Sequence, residues 1–374
     1  MNKRFKIVLI SNTSNFFSAF TLKHIEQLSK KYNLFICCNN PGKLKKKVPN
    51  NVSLININFK RNINFFYDII AFFVILFFFL KERPNLSISF TPKIGFMVAI
   101  ASFIARTPNR FHWFTGQIWA NKRGFTKIFL KLIDKMIFFL SHKVLIDSIS
   151  QKNFLIKENV VSLRKSTVFN KGSVGGVDIR KFKFDKKKRI QLRKKYSISE
   201  NTFVFLYLGR INKDKGIDEL LKAFKKISSH HDILLIFVGS VEEEKFISKF
   251  KNQKKILNFN YTTKPEDWFS LADILCLPSY REGFGNVIIE AASCGIPALC
   301  SNIYGLRDAI IKNKTGFFHE VGSINDIKNK MLYIISNKEK IKKQGIIARK
   351  RVTKDFDQNL ITKELLQFVN SNII

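Results

Sequence analysis

The sequence predicts an α/β chain made of two doubly wound, parallel-sheet domains. Short apolar runs alternate with helically spaced segments, and this alternation breaks once, in a polar basic stretch, before starting again. The 374 residues are also enough for two or three domains of about 150 residues each. A hydrophobic content of 45% excludes a disordered chain, and no heptad, collagen-like or solenoid repeat is visible.

In the first half, residues 5–10 form an apolar run ending in Ser11-Asn12-Thr13-Ser14, which reads as a strand followed by a loop. Residues 21–31 have helical spacing, and residues 34–38 return to strand-like side chains. Residues 54–59, 86–90 and 143–146 are further strands separated by helical segments. Beyond Asp178 the chain is polar and basic over 180–195, and a new strand at 202–208 opens the second alternation. Domains are therefore expected at 1–178 and 179–357, with an amphipathic terminal helix within 358–374. In the second half the runs 234–238, 274–277 and 298–300 end at Gly239, Pro278 and Ser301. Three strands ending in turn residues put their following loops on one carboxyl edge, where such sheets bind ligands.

Lys and Arg number 65 against 28 Asp and Glu, a net charge of +37. Part of this excess follows a general bias toward a few residue types, visible also in the 39 Phe. Cys37, Cys38, Cys276, Cys294 and Cys300 are odd in number, form no C-x-x-C pair and mostly sit in apolar runs, as expected of buried thiols in a reducing compartment. Lys3, Arg4 and Lys6 precede only four consecutive apolar residues, too few for a secretory signal. Residues 65–80 carry Asp68 as their only charge and are flanked by Lys60, Arg61, Lys81, Glu82, Arg83 and Pro84. As a helix this segment spans about 24 Å, short of the roughly 30 Å hydrocarbon core. Two readings follow: a buried or bundle-facing helix, or an interfacial one that dips aromatic rings into a bilayer. Basic flanks and Phe-rich faces recurring at 102–110 and 128–140 favour the second.

The chemistry concentrates in two stretches. In Arg281-Glu282-Gly283-Phe284-Gly285-Asn286-Val287-Ile288-Ile289-Glu290, glycines precede an apolar helix that Gly295 and Pro297 terminate. Bare backbone N–H groups at such a helix start suit a phosphate, and a carboxylate beside them accepts hydrogen bonds from sugar or ribose hydroxyls. Taken alone, a loop with two solvated glutamates is an equally fair reading. The second stretch, Gly209-Arg210-Ile211-Asn212-Lys213-Asp214-Lys215-Gly216, directly follows a strand. Gly209 permits close approach, and Arg210 and Lys215 can both reach one anionic group, which favours a diphosphate clamp over plain solvated cations.

These residues resemble family 4 of the retaining glycosyltransferases, which have the GT-B fold: two facing Rossmann-like domains with an interdomain cleft. The resemblance rests on Glu282 and Glu290 with seven residues between them, on Gly209-Arg210 with Lys215-Gly216, and on Cys294-Gly295-Ile296-Pro297. Residues 110–117 (Arg-Phe-His-Trp-Phe-Thr-Gly-Gln), Asp147-Ser148 before Gln151, residues 172–178 and residues 302–308 are similar to the family in order and spacing. It implies an N-terminal acceptor domain, a C-terminal donor domain and a last helix returning to the first. It further implies that Arg210 and Lys215 bind the donor diphosphate, Glu282 the transferred sugar, and Glu290 the ribose, with Gly209, Gly283, Phe284, Gly285 and Asn286 around the donor. His112 is placed near the donor phosphate and reacting centre, and Asn12, Thr115 and Gly116 on the acceptor side. Departures are the absence of glycine in residues 11–15 and in 258–263, where the family usually has one.

The expected activity is a metal-independent, retaining transfer from a nucleoside-diphosphate sugar, UDP-linked by family analogy, to a lipid-linked or saccharide acceptor. No cofactor is expected beyond that co-substrate. The one Asp-x-Asp, Asp355-Phe356-Asp357, precedes the terminal helix and reads as its cap rather than as a metal site, and His24, His142, His230, His231 and His319 lack ligand spacing. Phe-rich basic surfaces suggest an anionic membrane partner at the inner, cytoplasmic face, with polysaccharide or lipopolysaccharide assembly as the setting. The competing reading is a basic membrane-surface or nucleic-acid-binding protein without catalysis. Against nucleic acid, the aromatic residues lie in apolar runs and do not alternate with Arg.

Overall fold

All nine apolar runs become strands of two wholly parallel sheets in a computed structural model that describes residues 5–59, 64–250 and 253–373. Lys3, Arg4, Lys60 and Arg61 lie outside the described residues. The backbone divides into two units, Met1–Gly176 with Gln358–Ile374, and Val177–Asp357.

The first unit runs β1 (Lys6–Thr13), α1 (Ser14–Phe20), α2 (Leu22–Lys31), β2 (Asn33–Asn39), β3 (Ser53–Asn56), α3 (Phe65–Glu82), β4 (Leu86–Phe90), α4 (Pro92–Ile104), β5 (Asn109–Phe114), α5 (Gly124–Leu140), β6 (Lys143–Ile146), α6 (Ile149–Lys157) and β7 (Ser166–Thr167). The strand order β3-β2-β1-β4-β5-β6-β7 is that of a doubly wound sheet, with its direction of winding reversed between β1 and β4. Alternation along β1 sorts the two faces. Ile7 and Leu9 pack with Ile25 and Leu28 of α2, whereas Val8 and Ile10 pack with Ile75 and Phe79 of α3 and Val98 of α4.

The second unit comprises α7 (Lys186–Lys195), β8 (Phe203–Leu208), α8 (Ile217–Ser228), β9 (Ile233–Val238), α9 (Lys245–Phe250), β10 (Ile256–Phe259), α10 (Pro265–Leu271), β11 (Ile274–Leu277), α11 (Asn286–Ser293), β12 (Ala298–Ser301), α12 (Tyr304–Arg307), β13 (Gly316–His319), α13 (Ile324–Ser336) and α14 (Lys338–Asp355). Its order is β10-β9-β8-β11-β12-β13, so its winding reverses between β8 and β11. The last helix, α15 (Gln358–Asn372), belongs to the first unit. It buries Ile361, Leu365 and Val369 there, and Thr362 Oγ1 lies 2.8 Å from His24 Nδ1. His24 Nε2 lies 2.7 Å from the Val174 carbonyl, so Nε2 carries the proton and Nδ1 accepts from Thr362. Burial pushes this imidazole down to about 4, which keeps it neutral in the core.

Several local expectations are corrected. The loop expected after residue 10 is strand as far as Thr13, because Ser11 is buried between neighbouring strands, and α1 starts at once with Thr13 Oγ1 accepting from Phe16 N. Residues 180–195, read only as polar and basic, include the helix α7. Arg193, almost fully buried on α7, donates to the carbonyls of Ser199 and Thr202 and to Asp273, and Arg189 donates to Leu271 O and Asp273. Residues 102–110 are not one helix face but the end of α4 and the start of β5. Of Asp355-Phe356-Asp357, Asp355 ends α14, paired with Arg351 at 3.7 Å, and Asp357 directly precedes α15. Strand β10 occupies part of the expected 258–263 loop. Residues 65–80 lie in α3, which faces the core with Ala71, Ile75 and Phe79 and leaves its opposite side exposed.

Candidate active site

The first candidate residues lie at the carboxyl edge of the second sheet, where β8 and β11 adjoin and the winding reverses. The loop after β8 carries Gly209 to Gly216, and the loop after β11 carries Ser279 to Gly285. Lys215 Nζ donates to Glu282 Oε1 at 2.5 Å, and Ser279 Oγ donates to the same oxygen at 2.8 Å. Both charged side chains are mostly enclosed, at 13% and 17% exposure, so this ion pair is less screened than a surface pair.

Glycine makes this approach possible. At Gly216, which starts α8 with φ 67°, a Cβ would lie 2.1 Å from the Pro278 carbonyl oxygen, so the two loops can close on each other only without a side chain there. Behind Glu282 the backbone is fixed by α12, since a Cβ on Gly305 would lie 2.0 Å from Glu282 O. The loops are also tied by Tyr280 N donating to Asp214 O and by Tyr207 Oη donating to Arg210 O.

Arg210 lies at the outer rim of the same loop. Its Nη1 is 3.2 Å from both oxygens of Glu242, which also accepts from Asn212 Nδ2 at 2.7 Å. Glu242 went unnoticed in the sequence because it comes from the loop after β9, and nothing in its neighbours Glu243 and Glu244 marks it. Of the other expected donor residues, Gly285 caps α11 at φ 71° and Asn286 begins that helix. Glu290 lies one turn further, half-buried, and burial pushes its carboxyl up to about 7, with Lys181 opposing and Glu266 adding. Phe284 is 2% exposed and packs its ring against Phe356, which leaves its backbone to the loop surface.

In the first unit, Asn12 is the last residue but one of β1, while Thr115 and Gly116 directly follow β5, so all three sit at the carboxyl edge of that sheet. Between them, at the end of β4, stands Thr91, which the sequence reading passed over. It has φ 67°, a conformation that costs a β-branched residue on the order of 1–3 kcal/mol, and it lies where the winding reverses. The Thr91-Pro92 step after an apolar strand was its signal.

His112 comes from the strand itself rather than from a loop. It lies inside β5, 1% exposed, with Nδ1 2.8 Å from Ser89 Oγ and its ring edge-on to Phe114 at 4.6 Å. Burial pushes it down to about 3, which keeps the imidazole neutral, and its Nε2 has no hydrogen-bond partner among the described residues. Gly95 of α4 makes room for it: a Cβ there would lie 2.2 Å from His112 Cε1. Gly95→Ala is therefore expected to destabilise by about 1–3 kcal/mol through overpacking, read as a fall in denaturant midpoint. An unchanged midpoint would show that the ring can move aside.

The sequence profile described as Glycosyl transferases group 1 matches residues 188–351, which include the Lys215–Glu282 pair. The capsular polysaccharide biosynthesis glycosyltransferase CapM of Staphylococcus aureus is 32% identical over 354 residues, 93% of this chain and 92% of that one. The chain belongs to the group 1 glycosyl transferases. A further relative of this transferase is the Escherichia coli UDP-Gal:alpha-D-GlcNAc-diphosphoundecaprenol alpha-1,3-galactosyltransferase, 24% identical over 85% of this chain and 84% of that one. Among solved structures, HepE of Anabaena in complex with UDP superposes with a TM-score of 0.79 at 17% identity, covering 98% of this chain and all of that one. The transferase has the GT-B fold.

Proposed function

We propose that the chain transfers a sugar from a nucleoside-diphosphate donor, UDP-linked, to a lipid-linked or saccharide acceptor in polysaccharide or lipopolysaccharide assembly, with retention at the anomeric carbon and without a metal. The observation that carries this reading is the Lys215–Glu282 pair at the reversal point of the second sheet. The printed activities of the S. aureus and E. coli relatives support the setting, and the UDP held by HepE supports the nucleotide.

In the proposed reaction the acceptor hydroxyl attacks the anomeric carbon from the face the diphosphate leaves. The carbon–oxygen bond to the β-phosphate breaks as the new glycosidic bond forms, the departing phosphate oxygen gains negative charge, and that oxygen takes up the acceptor hydroxyl's proton. Lys215, Arg210 and the first amides of α11 meet that charge. Glu282, once Lys215 turns to the phosphate, is free to accept from the sugar hydroxyls. Glu290 accepts from the ribose, and Asn12, Thr115 and Gly116 receive the acceptor. A lipid-linked acceptor would be met at the inner face of the cytoplasmic membrane.

A thermal-shift panel of UDP, GDP, ADP and CMP, with and without EDTA, tests the donor site. One diphosphate is expected to stabilise the protein, by about 2.7 kcal/mol at a hundred times its Kd, with EDTA making no difference. A response to none of them would overturn the reading, and a response abolished by EDTA would overturn metal independence. Retention is read from the anomeric configuration of the product by proton NMR, where inversion would remove the same-face step.

Because burial pushes the Glu290 carboxyl up to about 7 and the ionised form is the stronger acceptor, UDP affinity is expected to rise as pH passes from 6 to 8. The terminal phosphate of UDP titrates in the same range, so the decisive comparison is with Glu290→Gln, whose calorimetric affinity should follow pH less steeply. Identical slopes would exclude Glu290 from the ribose.

A further inference from the structure

The large exposed apolar side chains of the first unit gather on two helices. On α3, Phe66 and Phe77 stand out, and on α5 Phe125 (80% exposed), Ile128, Leu132 and Phe139 (77% exposed). They recur at three- and four-residue spacing on the side of each helix opposite its buried stripe, which is Ala71, Ile75 and Phe79 in α3 and Asp134 and Ile137 in α5. Both helices pack against α4, so the two outward stripes belong to the same face of the sheet. Among the described residues no helix is long and apolar enough to cross a membrane. These are therefore stripes for lying on an apolar phase rather than spanning it.

Charge identifies the phase. Residues 1–176 contain 28 Lys and Arg but only six Asp and Glu. Each of the six is already neutralised or hidden: Glu26 pairs with Lys23 and Lys30, Asp68 with Lys93, Glu82 with Lys6, and Glu158 with Lys127 and Lys131, while Asp134 and Asp147 are buried. Around the stripes Lys81, Arg83, Lys122, Arg123 and Lys135 are exposed. A second copy of the chain would bring like charge against like. A nucleic acid would satisfy the cations and leave the phenylalanines in water. A bilayer with anionic headgroups satisfies both.

We infer that α3 and α5 form a two-helix footing that lies in the headgroup region of an anionic bilayer, with the phenylalanines dipped below the phosphates and the basic residues at their level. As an account of where a lipid-linked acceptor is met, the footing rests on the proposed function. Adhesion itself needs no transfer and is what the experiment reads.

The full chain is sedimented with phosphatidylcholine vesicles, with and without phosphatidylglycerol, and UDP stabilisation is measured on the same samples. Binding is expected only with the anionic lipid. Phe66→Ser with Phe77→Ser, and separately Phe125→Ser with Phe139→Ser, should each weaken it at least about tenfold. Lys122→Gln and Arg123→Gln should each weaken it about fivefold. Tyr261→Ser, at an exposed aromatic of the second unit, should change nothing. Any response to UDP should persist in all variants, so loss of the donor reading and loss of the footing are told apart. The inference is overturned if the protein ignores anionic vesicles, if the phenylalanine variants bind like the parent, or if the same variants instead dissolve a dimer that ignores lipid.

Discussion

Glu282→Gln is expected to lower kcat by at least about a hundredfold while leaving nucleotide binding intact, the loss typical of removing one group that meets the reacting centre. The substitution keeps the side-chain volume and the hydrogen bond from Ser279, and removes only the charge that holds Lys215. Two consequences separate a catalytic loss from misfolding. The ligand-free variant should melt lower, because a mostly enclosed ammonium loses its partner. Adding UDP should restore more stability to the variant than to the parent, because the diphosphate no longer competes with a carboxylate for the same cation. Turnover at the parental rate would remove Glu282 from the sugar. Lost UDP affinity together with lost turnover would mean that the glutamate serves the loop rather than the reaction.

Periodicity and turn residues made the sheets legible in the sequence, and the places where reading failed share a cause. Parallel strands buried on both faces show as apolar runs, and every run identified became a strand. The strands that escaped notice are β5, whose Arg110 and His112 break the run, and the short β7, β10 and β13. Arg189 and Arg193 read only as part of a polar basic stretch, because sequence cannot show that the carbonyls at the end of α10 and just before β8 lie within reach of a guanidinium. At the candidate site, the family resemblance implied that Lys215 and Glu282 meet one donor. Their direct pairing was not legible, and it follows from Gly216 letting the two loops meet. The enclosure of His112 was not legible, because a polar residue flanked by aromatics reads alike in a core strand and at a strand end. Glu242 could not be read at all, since its partner Arg210 is 32 positions away on another strand's loop.

Lys215→Ala is expected to weaken UDP binding by about 1.5–3 kcal/mol, roughly ten- to 150-fold, the usual value of a charge-assisted hydrogen bond. Arg210→Ala should cost less in the same titration, because its guanidinium is about half exposed and already shared with Glu242. The double substitution Lys215→Ala with Glu282→Gln decides between two kinds of loss. In the ligand-free protein the pair is stabilising, so the two single losses in stability should exceed that of the double variant, a coupling expected between residues in direct contact. In UDP binding the sign reverses. Glu282 draws Lys215 away from the phosphate, so its removal helps binding only while Lys215 is present, and Glu282→Gln should give no gain in the Lys215→Ala background. Calorimetry of the four proteins measures this directly. A gain from Glu282→Gln without Lys215 would show that the glutamate repels the diphosphate directly. Additive stability losses would show that the ion pair contributes nothing to the loops it joins.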